Sequence, residues 1–185
     1  MSVSGSWERT ARGAMLLGPG GELSPTIFAE MSALAASTGA INLGQGFPDE
    51  DGPAEVLEAA RAAISAGVNQ YPPGLGMPVL REAIAAHQKR FYGIEVDAAT
   101  QVLVTAGATE AIAATLLALT DIGDEVVTFE PFYDEYGAIT ALGRATQVTV
   151  PLRAPHFLPD LDELRAAVND RTRVILVNSP HNPTG

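Results

Sequence analysis

The feature that most constrains the fold is the regular alternation of apolar runs and helical segments from residue 101 onward. Four short apolar runs have the length and composition of strands, at 101–106, 125–130, 146–150 and 173–177. Segments with helical spacing separate them, at 108–119, about 134–142 and 161–168. Strands that alternate with helices are joined by right-handed crossovers and form a parallel sheet. The sequence therefore predicts an α/β fold with a mainly parallel sheet and helices on both faces.

The first hundred residues are less regular and predict helices joined by turns. Residues 1–24 are small, polar and Gly-rich, and 18–24 (GPGGELS) are expected to be flexible. Helices are predicted at 25–37, from Pro53 to about 66, and from Pro78 onward, because proline is favoured at the first position of a helix.

Composition and charge exclude several classes of function. A net charge of −11 disfavours nucleic-acid binding, since the surface would repel a phosphate backbone. Apolar runs are far shorter than a membrane span, and no basic-then-apolar leader precedes the first helix, so we expect no membrane contact and a cytoplasmic location. The chain has no cysteine, and its three histidines lack the spacing of metal ligands, so we expect no metal.

Three polar motifs follow predicted strands at their carboxyl ends, which meet at one edge of a parallel sheet. They are Gly107–Glu110, Pro131–Tyr136 and Asn178–Gly185. Gly107 would let a ligand approach the start of the following helix, where free N–H groups favour phosphate. An aromatic such as Phe132 can stack on a flat ring, and the Asn182 amide can donate to a phenolate oxygen. Each residue also has an ordinary structural explanation as a turn, cap or packing residue.

The run NSPHNPTG at 178–185 resembles the Asn-Pro-Thr-Gly signature of fold-type-I, pyridoxal-phosphate-dependent aminotransferases of class I. Four further stretches resemble motifs of the kynurenine, glutamine and methionine aminotransferase group, at 42–49, 69–76, 104–111 and 130–136. The resemblance runs from about residue 24 to 185. It implies the N-terminal part of the aspartate aminotransferase-like fold, with pyridoxal 5′-phosphate as cofactor.

The same resemblance implies a role for each motif residue. The cofactor phosphate would lie on the amides of Ala108 and Thr109 beside Gly107. Phe132 would stack on the pyridine ring, and Asn182 would bond to its phenolate oxygen. The remaining implied residues are Tyr71, which would reach the phosphate of the neighbouring subunit in a homodimer, and Gly46 and Phe28, which would face the substrate. A cis bond between Asn182 and Pro183 is also implied.

The lysine that bonds covalently to the cofactor lies after the Asn-Pro-Thr-Gly motif in this family, as do the pyridine-nitrogen aspartate and the substrate-binding arginine. The chain has one lysine, Lys89, which helical spacing places on the solvent face of its helix. We therefore expect an N-terminal fragment with no catalytic residue of its own, poorly soluble and inactive when isolated. Residues 1–48 would form an arm or small-domain segment, and 49–185 the first half of the large cofactor-binding domain.

Several functions remain open at this stage. The leading hypothesis is transfer of an amino group from an amino acid to a 2-oxo acid, with N-succinyl-diaminopimelate, methionine, glutamine or aromatic amino acids as candidate substrates. The alternatives are a C–S β-lyase on the same fold and a non-catalytic effector-binding or dimerisation module. A nicotinamide-binding domain is disfavoured, because GLGMPV at 74–79 follows no strand and has Val79 where the fingerprint needs glycine.

Overall fold

The computed structural model describes residues 5–44, 46 and 50–185. The chain divides into two compact units. One unit contains Leu34–Ala106, and the other combines the described residues up to Ala33 with Gly107–Gly185. We call them the helical unit and the sheet unit. Their boundaries differ from the division predicted at residue 48, which refers to the domains of a whole enzyme and stays a prediction.

Seven helices and three strands are present in the described part of the chain. The helices are α1 (Ser6–Gly13), α2 (Ile27–Thr38), α3 (Ala54–Ser65), α4 (Pro78–Tyr92), α5 (Ala108–Leu119), α6 (Glu135–Leu142) and α7 (Leu161–Ala167). The strands are β1 (Glu125–Glu130), β2 (Thr146–Pro151) and β3 (Thr172–Ile175). Six predicted helices and three of the four predicted strands are therefore confirmed, with ends that shift by at most a few residues.

The three strands form a parallel sheet with the order β2-β1-β3. Val127 of β1 lies opposite Val148 of β2 and Ile175 of β3, so β1 is hydrogen-bonded on both sides. The register between β1 and β3 shifts after Glu125. Because β3 pairs on one side only, it is an edge strand of this sheet, and its Ile175 side chain is 44% exposed.

Both faces of β1 are covered, which is why its side chains are buried without alternation. On one face, Val126 packs with Leu116 of α5 and Ile139 of α6. On the other face, Val127 belongs to a second cluster, against which Leu164 of α7 packs. The sheet unit is thus a three-layer α/β arrangement, as the sequence predicted.

Helix α1 was not predicted, because the composition of residues 1–24 favoured a flexible segment. It packs against α6 with its last residue, Gly13, facing Gly137. A Cβ atom added to either glycine would overlap the carbonyl oxygen of the other, so the two backbones approach more closely than any larger residue would allow. The following residues form a hydrogen-bonded turn, in which the Gly18 N–H donates to Glu22 O at 2.9 Å. Residues 5–24 therefore contain a helix and a turn that the sequence did not predict.

The predicted strand 101–106 is also wrong: these residues form no strand and belong to the helical unit rather than to the sheet. A strand needs a neighbour to satisfy its backbone groups, and none of the three described strands pairs with this segment. Instead, the Val104 N–H donates to Leu75 O at 3.1 Å, and the Val104 side chain lies against the buried Gly76. The sheet that we expected to contain both 101–106 and 173–177 contains only the latter.

Arg81 fixes the geometry of the helical unit next to this segment. Its Nε donates to Gly76 O at 3.2 Å, and its Nη1 donates to Ala98 O at 2.7 Å and Ala99 O at 3.2 Å. One guanidinium therefore links α4 to the Gly-rich loop before it and to the turn at 97–101. Lys89 lies on the same helix and is 68% exposed, with its Nζ 2.7 Å from Glu95 Oε1, as its predicted solvent-facing position requires.

Candidate functional site

The order of the strands identifies the part of the sheet where a ligand is expected to bind. The chain leaves β1 to form β2 on one side and later returns to form β3 on the other. Loops that leave the carboxyl ends of two such neighbouring strands diverge and open a crevice between them. The loop after β1 begins at Pro131, and the segment after β3 runs from Leu176 to Gly185. Two of the three polar motifs predicted from the sequence follow these strands.

The third motif begins α5, whose N-cap residue is Gly107. Its φ of +96° is a conformation that an L side chain rarely adopts, and a Cβ atom added there would meet nothing within 4 Å. Ala108 and Thr109 are exposed at the first turn of α5, and no side chain of the N-cap residue covers their N–H groups, because glycine has none. This start of a helix is open to an approaching anion.

A hydrogen bond joins the start of α5 to the start of α6: Thr109 Oγ1 donates to Glu135 Oε2. The Thr109 hydroxyl thus lies at the position predicted for the phosphate, and it is hydrogen-bonded to the Glu135 carboxylate. Glu135 was not among the predicted site residues, although it lies in the motif at 130–136. Charge alone gave no reason to select it, because an acidic residue in the first turn of a helix is common.

Tyr136, in the first turn of α6, interacts with the Asn178 side chain in the segment after β3. The Tyr136 side chain is buried, at 6% exposed. Burial raises the pKa of Tyr136, the nearby Glu135 carboxylate raises it further, and the Asn178 side chain opposes both. Tyr136 thus stays a neutral phenol at physiological pH. Sequence reasoning missed this pair because tyrosine in a helix and asparagine in a turn are each unremarkable alone.

Phe132 and Asn182 take part in neither of these contacts. Phe132 is half-buried in the loop directly after β1, and Asn182 is exposed in the turn that ends with Gly185. The bond between Asn182 and Pro183 is cis, as predicted. Both residues therefore follow the neighbouring strands β1 and β3, and their predicted contacts with a cofactor ring remain predictions.

The other predicted site residues lie outside this cluster of contacts. Tyr71 is fully exposed in a loop of the helical unit, and Gly46 is exposed in the same unit. Phe28 is half-buried near the start of α2. Of the motif at 42–49, residues 45 and 47–49 lie outside the described residues. No group of three His, Cys, Asp or Glu side chains in the described part of the chain could hold a metal ion. No helix in that part is both long enough and apolar enough to cross a bilayer.

A helix start opened by glycine, and polar loops at the point where strand order reverses, are features of α/β proteins that bind phosphate-bearing ligands. The family model described as "Aminotransferase class I and II" matches residues 38–185. The chain belongs to this family. Class I and II aminotransferases depend on pyridoxal phosphate, so the family and its cofactor agree with the resemblance found in the sequence.

Two curated relatives and one solved structure illustrate the similarity. The chain is 59% identical over 162 residues to "Probable N-succinyldiaminopimelate aminotransferase DapC" of Mycobacterium tuberculosis, which covers 86% of this chain and 41% of the relative. It is 47% identical over 163 residues to the methionine aminotransferase of Escherichia coli, covering 88% of this chain and 42% of the relative. The structure of N-succinyldiaminopimelate aminotransferase from Mycobacterium tuberculosis has a TM-score of 0.85 and 52% identity, covering 99% of this chain and 44% of that one.

These comparisons confirm the predicted fold class. They also show how much of the length of its relatives this chain spans. The chain spans about two fifths of the length of the relatives that it matches. The α/β sheet unit described above is therefore part of the fold of these enzymes.

Proposed function

We propose that this chain supplies the phosphate-binding and ring-binding part of a pyridoxal-phosphate-dependent aminotransferase. The whole protein would move an amino group from an amino acid to a 2-oxo acid. The observation that carries the proposal is the convergence of three motifs, through the hydrogen bond between Thr109 and Glu135 and the pairing of strand β1 with β3. These contacts bring the start of α5, the segment after β1 and the segment after β3 to one part of the sheet unit.

The residues at the start of α5 fit the phosphate of the cofactor. The positive φ of Gly107 and the open space beside it let an anion reach the exposed amides of Ala108 and Thr109. The Thr109 hydroxyl adds a donor. When bound, the cofactor would supply an electron sink for the substrate carbon, while Phe132 would stack on its ring and Asn182 would donate to its phenolate oxygen.

The Glu135 carboxylate competes with the cofactor phosphate for the Thr109 hydroxyl. It accepts a hydrogen bond from that hydroxyl, and it would repel a second anion beside it. We infer that the Thr109 hydroxyl turns from Glu135 to the phosphate when the cofactor binds.

The covalent lysine is proposed to come from outside these 185 residues. Lys89 belongs to the helical unit and pairs with Glu95 on an exposed surface. Tyr71, fully exposed in that unit, is proposed to reach the phosphate site of a second subunit in a homodimer, and Gly46 and Phe28 to face the substrate. We also propose that the protein acts in the cytoplasm, without nucleic-acid or membrane partners.

For the amino donor, we propose N-succinyl-diaminopimelate first and methionine second. The order follows the identities of 59% and 47% to relatives that carry those names. Glutamine and aromatic amino acids remain further candidates.

The proposal is tested by titrating the ¹⁵N-labelled protein with pyridoxamine 5′-phosphate, which needs no covalent lysine to bind. We expect the amide signals of Ala108 and Thr109 to shift, and we expect pyridoxamine without its phosphate to bind at least about tenfold more weakly, the loss of one charge-assisted contact. Thr109→Val should weaken binding, because it removes the hydroxyl at nearly constant shape. Thr115→Val, a matched change at an exposed position of α5, should not.

If pyridoxamine and pyridoxamine 5′-phosphate bind equally well, the start of α5 is not a phosphate site. An equal effect of the two threonine substitutions would show that the Thr109 hydroxyl plays no part in it.

A further inference from the structure

Away from the cofactor site, three arginines line one surface cavity of the sheet unit. The cavity has a volume of about 430 Å³. Arg9 and Arg12 enter it from α1, where a spacing of three residues places them on the same face of the helix. Arg144 enters from the turn between α6 and β2. Three of the ten arginines of a chain with net charge −11 therefore meet at one place.

These guanidinium groups have no acidic partner among the described residues. The ion pairs of that part of the chain involve other basic residues, and the cavity lining contains no Asp or Glu. Asp121 and Asp124 flank the lining residue Ile122 in sequence, but Asp124 is paired with Arg173. Like charges that converge without a counterion repel one another, so an anion in the cavity would relieve that repulsion.

The turn that ends α6 fixes the position of the Arg144 backbone at the cavity. The φ of Arg144 is +65°, the left-handed conformation in which many helices end. The Ala145 N–H closes this turn by donating to Thr140 O at 3.1 Å.

The cavity depends on a segment that the family match does not include. Helix α1 ends at Gly13, whereas the match begins at residue 38. The close approach of Gly13 and Gly137 holds α1 against α6 and so brings Arg9 and Arg12 to the side of Arg144. The remaining lining is apolar, from Ile122, Ala141 and Ala145.

We propose that this cavity binds a small organic anion with at least two negative charges, carried by carboxylate or phosphate groups. Arginine forks match the oxygen pairs of both groups. A volume of this size is within the range of small-molecule sites, and the apolar wall would contact the carbon skeleton of such a ligand. The proposal goes beyond the aminotransferase function, because none of the residues concerned belongs to the cofactor site.

The test is calorimetric titration of the purified protein with diphosphate and with citrate at low ionic strength, with acetate as the singly charged control. We expect saturable binding of at least one of the first two probes, and weaker binding near 0.15 M salt, where the screening length is about 8 Å. Acetate should not saturate. Whichever polyanion binds more tightly distinguishes a phosphate ligand from a carboxylate ligand.

Substitutions of the three arginines test whether these residues are responsible for the binding. Arg9→Gln, Arg12→Gln and Arg144→Gln should each weaken the affinity about three- to tenfold, since each removes a charge-assisted contact at an exposed position. Arg165→Gln makes the same charge change on the exposed α7 surface of the same unit and should alter the affinity less than about twofold. The absence of saturable binding for both polyanions would overturn the proposal, and so would an equal loss in Arg165→Gln.

Discussion

Gly76→Ala is the substitution whose cost follows most directly from the structure. Gly76 is buried and has a φ of +96°, so alanine would be strained there whatever the available space. In addition, its Cβ atom would lie 2.5 Å from Val104 Cγ2 and 2.6 Å from Val104 Cβ. Carbon atoms prefer a separation of about 3.5–4.0 Å, so the two segments must move apart by roughly 1 Å.

The two contributions can be estimated separately. Strain from the positive φ costs about 1–2 kcal/mol, and forced overpacking costs about 1–3 kcal/mol. Together they lower the free energy of unfolding of the helical unit by about 2–5 kcal/mol. Gly67 provides the matched control, because its φ is +82° and an added Cβ would meet nothing within 4 Å. Gly67→Ala should therefore show the strain without the overlap, about 1–2 kcal/mol.

Urea unfolding measures the difference. With a denaturant slope of about 2 kcal/mol/M, Gly76→Ala should lower the midpoint by about 1–2.5 M and Gly67→Ala by about 0.5–1 M. Hydrogen exchange at the Val104 amide, which donates to Leu75 O, should accelerate more in the first variant than in the second. If both variants unfold at the same midpoint, the contact between Gly76 and Val104 does not contribute to stability and the reasoning is refuted.

Three further predictions concern the sheet unit. Backbone N–H groups at the start of α7 lower the pKa of Asp160, so its contribution is present above the unfolded-state value of about 3.9 and is lost as the pH falls through the folded-state value. At pH 7, Asp160→Ala should therefore have a lower melting temperature than the parent protein, whereas in acid the two melting temperatures should be equal. Thermal scans at both pH values measure this difference. Tyr136→Phe should lower the free energy of unfolding in urea by about 0.5–1.5 kcal/mol, since it removes a buried hydroxyl that interacts with Asn178; an unchanged midpoint would contradict that interaction. Asn182→Ala should weaken binding of pyridoxamine 5′-phosphate about tenfold or more in a fluorescence titration, and unchanged affinity would exclude it from the cofactor site.

The sheet unit was predictable because its signals are local. Helix α5 and strand β1 begin and end where periodicity placed them, and Asp160 caps α7 by accepting from the Asp162 and Glu163 N–H groups at 2.8 and 3.2 Å. The apolar run at 101–106 carried the same signal and forms no strand. An apolar run shows that a segment tends to be buried, whereas a strand also requires a neighbour, which periodicity does not reveal.

The site was predictable only in part, for a similar reason. The motif glycine at 107 could be identified from its place before a helix. The hydrogen bond from Thr109 to Glu135 and the interaction of Tyr136 with Asn178 join residues that are distant in sequence, and they depend on which loops the sheet brings together. Helix α1 was missed because its contact with α6 uses glycine, a residue whose presence in a sequence favours turns.

That glycine contact has a consequence for the order in which the protein assembles. Gly13 is translated about 120 residues before Gly137, the residue against which it packs. At about 5–20 residues per second, α1 leaves the ribosome roughly 6–25 seconds before its partner helix is synthesised. Closing a loop of this length costs little more entropy than closing a shorter one. The separation in sequence therefore delays the docking of α1 but hardly weakens it. Helix α1 can therefore dock only after α6 has been synthesised, although α1 itself is made long before.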